Sequence, residues 1–99
     1  MISRQWKCIL KEASHDEYIT FLNDVVFAAA KELPGFIQAN ILTRKTTHGL
    51  EFMVTTLWEN LDAIKAFAGE DTSLAMVPEA AQRMMVSFDE VVVHYEVIV

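Results

Sequence analysis

Two extended runs, Phe36 to Lys45 and Leu50 to Trp58, are separated only by Thr46-Thr47-His48-Gly49. That short polar break constrains the chain more than any other feature. A parallel return needs a crossover of about a dozen residues or more, so the two runs pair antiparallel, with Gly49 available for the positive φ of a tight turn. Upstream, Ile2, Arg4, Trp6, Cys8 and Leu10 alternate with Ser3, Gln5 and Lys7, the pattern of a half-buried strand. Tyr18, Leu22, Val25, Ala29 and Leu33, flanked by Ile19, Val26 and Ala30, recur at helical spacing and predict a helix of about five turns. The box Ser14-His15-Asp16-Glu17 is expected to cap its start, and Pro34-Gly35 to stop it.

After the hairpin, Asn60 is placed to cap a short helix carrying Leu61, Ile64, Phe67 and Ala68, with Gly69 just past its end. Pro78 reads as the first position of a third helix running through Met85, and the β-branched run Val91–Val99 as a last strand. Strand, helix, hairpin, helix, strand is the order of a ferredoxin-like split βαβ fold of the α+β class. It predicts one domain over residues 1–99, with a four-stranded antiparallel sheet and helices on one face. Val91, Val93, Tyr95, Val97 and Val99 share one side of the last strand, while Val92 and Ile98 keep the other partly apolar. The uncovered sheet face therefore also calls for burial, and hydrophobic residues make up 53% of the chain. A homodimer pairing two sheet faces is the simplest expectation.

Charge narrows the function. Eight Lys and Arg against 14 Asp and Glu leave a net charge of −6, which lacks the electrostatic footprint of a nucleic-acid binder. No apolar stretch approaches the roughly 20 residues of a membrane span. The lone Cys8 and a start, Met1 to Trp6, without a secretory pattern fit a reducing cytoplasm. His-x-x-x-His and Cys-x-x-Cys spacings are absent, as are glycine-rich phosphate loops, so neither a metal nor a nucleotide cofactor is expected.

A few side chains could carry chemistry. His94, mid-strand with Val92, Glu96 and Ile98 on its face, is either a hydrogen-bonded strand histidine or a general base near neutral pH. Trp58 and Trp6 serve as core packing, or with Phe21, Phe67 and Tyr95 line a flat aromatic-ligand pocket between sheet and helices. Met76, Met84 and Met85 are either filler or plastic pocket lining. His48 belongs to a turn, His15 to a solvated first helical turn, and Cys8 to the core as an inert thiol. Glu70-Asp71 and Asp89-Glu90 read as solvated element ends.

The segment from Phe52 through Trp58-Glu59-Asn60-Leu61 to Phe67 resembles the antibiotic biosynthesis monooxygenase superfamily, as do Leu33-Pro34-Gly35-Phe36 and His94-Tyr95-Glu96-Val97. The resemblance spans nearly the whole chain and implies a dimeric α/β barrel. Cofactor-free oxygenases of this family use a strand-3 Trp, an Asn four residues before it and a Tyr six after. Trp58 matches, but Val54 and Ile64 occupy the other two places. Haem-degrading members use Asn, Trp and an iron-binding His where this chain has Trp6, Phe67 and Val77, so the resemblance implies no haem ligand. What it implies is a cofactor-independent monooxygenase of a small electron-rich aromatic (a quinol, anthrone or related phenol), with His94 as base, Trp58 stacking on the substrate, and Trp6, Phe21, Phe67 and Tyr95 around it. The alternatives are a non-catalytic dimeric ligand-binding or stress-related module of the same fold, and a purely structural accessory subunit.

Overall fold

A computed structural model describes residues 1–99. Strand β1 (Ile2–Leu10) lies at the centre of an antiparallel sheet, and a 3-10 turn (Glu12–Ser14) leads from it into helix α1, residues 15–31. The hairpin of β2 (Phe36–Thr46) and β3 (Gly49–Trp58) occupies one side of β1. Helices α2 (Leu61–Ala68) and α3 (Glu79–Gln82) follow, then β4 (Met85–Phe88) and β5 (Val93–Glu96) on the other side of β1. This is the α+β ferredoxin-like plan expected from the element order.

Its last quarter differs from the expectation. The strand expected over Val91–Val99 is shortened to β5, and a further strand, β4, forms upstream of it where none was expected, making the sheet five-stranded: β4 pairs with Cys8–Leu10 and β5 with Ile2–Gln5. Between them the backbone leaves β1 and bonds to the segment after α2, with Ala75 N–H donating to Glu90 O at 3.0 Å and Val92 N–H to Ser73 O at 2.8 Å. Satisfied there, residues 90–92 have no need of β1. The third helix is correspondingly shorter than expected, because Met85 pairs with Leu10 as the first residue of β4. Pro78 precedes that helix as its cap residue rather than opening it.

The Ser14 capping box does not form: Ser14 makes no side-chain cap hydrogen bond. The 3-10 turn replaces it, its Glu12 carbonyl accepting the His15 N–H. Asn60 does cap α2, its Oδ1 accepting the Ala63 N–H at 2.9 Å. Gly35, at φ +90°, stops α1, and a Cβ there would lie 2.6 Å from that of Ala63, so α1 and α2 approach as closely as a glycine permits.

Within α1, Leu22–Phe27 is a π-helical segment between α-helical His15–Phe21 and Ala28–Lys31. Asn, Asp and two Val in succession are weak α-formers, and a π turn accommodates an extra residue by widening the helix.

The register fixes which side chains face the helices. Thr56, Arg4 and His94 form one inward row across β3, β1 and β5, with Val54 and Trp6 in the next. Phe52, Cys8 and Phe88, then Leu50, Leu10 and Met85, complete the floor of the core. One buried cluster gathers around Leu10, Phe52, Tyr18, Leu22 and Phe27, and a second around Trp58, Ile64, Ala30 and Ala63. The opposite sheet face carries no covering element and presents Leu42, Val93 and Tyr95 to solvent. No helix is long and apolar enough to cross a membrane.

Candidate functional site

Sheet and helices do not close completely over the inward rows. They leave a cavity of about 360 Å³. Arg4, Trp6, Val54 and Thr56 form its floor, and Val92 borders it. The π segment contributes Leu22, Val25, Val26 and Phe27, α2 contributes Phe67, and Met76 and Val77 lie along the third side. The widened turn thus presents three consecutive side chains, Val25 to Phe27, to one space.

Arg4 is the only charged residue lining this otherwise apolar cavity. It comes from the alternating series Ile2, Arg4, Trp6, Cys8, Leu10, where a cation on an apolar face was the signal that sequence reasoning passed over. Arg4 Nη1 donates to the Thr72 carbonyl at 2.6 Å and lies 3.0 Å from His94 Nε2. A guanidinium can only donate, so Nε2 accepts, and the neutral ring carries its proton on Nδ1. Both hydrogens of Nη1 are then used, leaving Nε and Nη2 without a protein partner. No carboxylate forms an ion pair with Arg4; the pairs lie elsewhere, at His15–Asp16, Arg44–Glu51 and Arg83–Glu79. Burial lowers the Arg4 pKa, yet a guanidinium stays charged. Burial, and then the charge of Arg4, hold His94 below the usual histidine range.

Trp6, Phe21 and Phe67 are brought together around the cavity. The other three expected site residues lie outside it. Trp58 is completely buried, its Nε1–H donating to Thr56 Oγ1 at 2.8 Å. Phe67 packs on it at 5.2 Å between ring centroids and stands at the cavity in its place. His94 shares the inward face with Arg4 but does not line the cavity, and its Nε2 is engaged by Arg4. Tyr95 pairs with Ser3 on the outer sheet face and is 56% exposed. The same period-two alternation that turns His94 inward turns Tyr95 outward.

Tyr18 also lines the cavity, and burial raises the pKa of both its hydroxyl and the neighbouring Cys8 thiol, that of Cys8 to about 12. Neither is a ready nucleophile or base at neutral pH. His15 packs edge-on against Phe52, and His48 stays in the β2–β3 turn. Met84 and Met85 belong to the core, and only Met76 reaches the cavity. No group of three or more His, Cys, Asp or Glu is placed to hold a metal ion.

The sequence profile described as antibiotic biosynthesis monooxygenase matches residues 1–79. No curated protein sequence matches at a significant level. Among solved structures, the fold is similar to that of the haem degrader MhuD from Mycobacterium tuberculosis, with two haems bound in its active site (TM-score 0.67, 16% identity, 100% of this chain and 97% of that one covered). It is also similar to the monooxygenase ActVA-Orf6 of Streptomyces coelicolor, in complex with nanaomycin D (0.60, 17%, 99% and 90%). A third is SnoaB, a cofactor-independent oxygenase from Streptomyces nogalater (0.61, 12%, 98% and 92%).

The lowered pKa of His94 ties stability to pH. Above the ordinary histidine pKa of about 6.5, folded and unfolded states are both neutral at this position and it contributes no slope. As pH falls below that value the unfolded chain takes up the proton first, so stability declines until the folded-state pKa is passed. Urea midpoints between pH 7 and 5 should fall less for His94→Gln than for the wild type. Parallel declines would contradict this account of His94.

Proposed function

Because this chain belongs to the antibiotic biosynthesis monooxygenase family, we propose that its cavity binds a small electron-rich aromatic compound (a quinol, an anthrone or a related phenol) and brings it to reaction with O₂ without a resident cofactor. The observation that carries this reading is an aromatic-walled apolar cavity of about 360 Å³, toward the small end of ligand pockets and suited to a bicyclic or tricyclic ring system. Trp6 and Phe67 offer faces for stacking.

For an anthrone, the chemistry balances as CH₂ + O₂ → C=O + H₂O. The substrate loses a proton to solvent, and its anion passes one electron to O₂. The radical pair combines to a peroxide anion, which takes up a proton and expels water as the carbonyl forms. The protein contributes orientation and a dry environment for the anion and O₂. No histidine lines the cavity, so it offers no imidazole to a haem iron.

One observation favours the second reading, a module that binds such a ligand without turning it over: no available general base lines the cavity. The two readings share the ligand and differ in oxygen consumption.

A second copy of the chain belongs to this proposal. Leu42, Met53 and Leu57 lie on the uncovered sheet face with Val93 and Tyr95, and a homodimer through these faces would bury them. Light scattering at micromolar concentration should give twice the 11.2 kDa chain mass; a stable monomer contradicts it.

Oxygen uptake by metal-free protein over a panel of quinols and anthrones, corrected for autoxidation, tests the activity. Saturable uptake is expected, with kcat/KM reduced about tenfold by Trp6→Ala or Phe67→Ala, the equivalent of one lost aromatic contact. Tight binding without uptake would overturn the oxygenase in favour of the binding module.

A further inference from the structure

We propose that Arg4 is the anion anchor of the cavity: the aromatic ligand binds as its oxyanion, with the ionised oxygen against Nε and Nη2 of Arg4, and this pairing takes the place of a general base. The inference rests on the aromatic-ligand reading above and adds the chemical class of the ligand, an ionisable phenol or enol.

The geometry carries it. Arg4 is half-buried in an apolar cavity with no carboxylate partner, an arrangement that costs free energy unless something completes it. Nη1 is fixed by the Thr72 carbonyl at 2.6 Å and by His94 Nε2 at 3.0 Å, so one end of the guanidinium is held by the protein. Its other N–H groups remain for a planar oxygen ligand. The charged and titratable groups around this position are few. His94 faces Arg4 from β5 as a neutral acceptor, and Tyr18 is the other titratable residue lining the cavity, its hydroxyl kept protonated by burial. With a net charge of −6 the chain as a whole repels anions, so a preference for an anionic ligand has to be local, and Arg4 supplies the one positive charge at the cavity.

In proton terms, the ligand O–H bond breaks, the proton leaves to water, and the oxygen's electron pair is stabilised by Arg4. Ionisation is thus driven by holding the product anion. His94 is a positioning residue in this scheme, acting on the ligand only through Arg4.

A redox-inert chromophore separates this step from oxygenation. 7-Hydroxycoumarin reports its own ionisation by absorbance, and 7-methoxycoumarin, which cannot ionise, reports occupancy of the cavity. Wild-type protein should bind the hydroxycoumarin anion about tenfold or more tighter than the neutral phenol, lowering the bound dye's pKa by about one unit or more. Arg4→Met should abolish that shift in whatever dye still binds, with methoxycoumarin reporting the occupancy that remains, and Arg4→Lys should retain part of it. His94→Gln should reduce it without abolishing methoxycoumarin binding. Wild type alone decides if Arg4→Met fails to fold: an unshifted or raised dye pKa with methoxycoumarin still bound overturns the Arg4 proposal and leaves the aromatic cavity standing. Binding of neither dye overturns both.

Discussion

The pairing register of β1 is the constraint on which the rest of the structure depends. β1 and β3 both have neighbours on two sides, but β1 alone joins the hairpin, through β3, to β4 and β5. Because side chains alternate at period two, a one-residue slip would send Arg4, Trp6, Cys8 and Leu10 to the outer face and bring Ser3, Gln5 and Lys7 under the helices. Cys8 and Leu10 are almost completely buried, which strongly disfavours that slip. The same choice, made for hydrophobic reasons at one end of the strand, puts a guanidinium into the cavity at the other.

Placing Arg4 there is a cost the fold accepts locally. Thr72 and His94 satisfy one of its nitrogens, the others have no protein partner, and the residue lines a space that the helices do not fill. The space exists because α1 is widened at Leu22–Phe27 and because α2 stacks Phe67 on the buried Trp58, keeping the second core cluster to one side. Stability and site are therefore divided between neighbouring aromatics: Trp58 packs, while Trp6 and Phe67 face the cavity. Trp6 is itself held by its Nε1–H, which donates to the Asp89 carbonyl at 2.6 Å in the connection between β4 and β5. That connection thus helps orient a residue of the site.

Much of this was legible in the sequence. Alternation in Ile2–Leu10, the four-residue polar break before Leu50 and the Pro34-Gly35 stop locate β1 to β3 and α1, and Asn60 and Gly69 bound α2. The strand β4 was not legible, because Met84-Met85 reads equally well as the end of the helix that follows Pro78, and nothing local marks that the backbone of residues 90–92 prefers residues 73–75 to β1. The π segment escaped for a related reason: six residues are too few to separate its period from that of an α-helix. Among the site residues, Trp6, Phe21 and Phe67 were readable as aromatics near one face. For Trp58 the sequence left packing and a pocket role open, and for His94 a hydrogen-bonded strand histidine and a base, because nothing local marks that Phe67 packs on Trp58 and the partner of His94, Arg4, lies at the other end of the chain. Tyr95 was assigned to the pocket against the alternation already visible around His94.

The account's central claim is that an aromatic ligand occupies the space beside Trp6 and Arg4, with Trp58 sealed behind Phe67. The two indole N–H resonances in a ¹⁵N–¹H correlation spectrum test it directly, each assigned by a Trp→Phe variant and followed through a titration with 7-hydroxycoumarin. The account predicts a saturable shift of the Trp6 indole signal and little change in that of Trp58. A response confined to Trp58, or a saturated titration that moves neither, would contradict it.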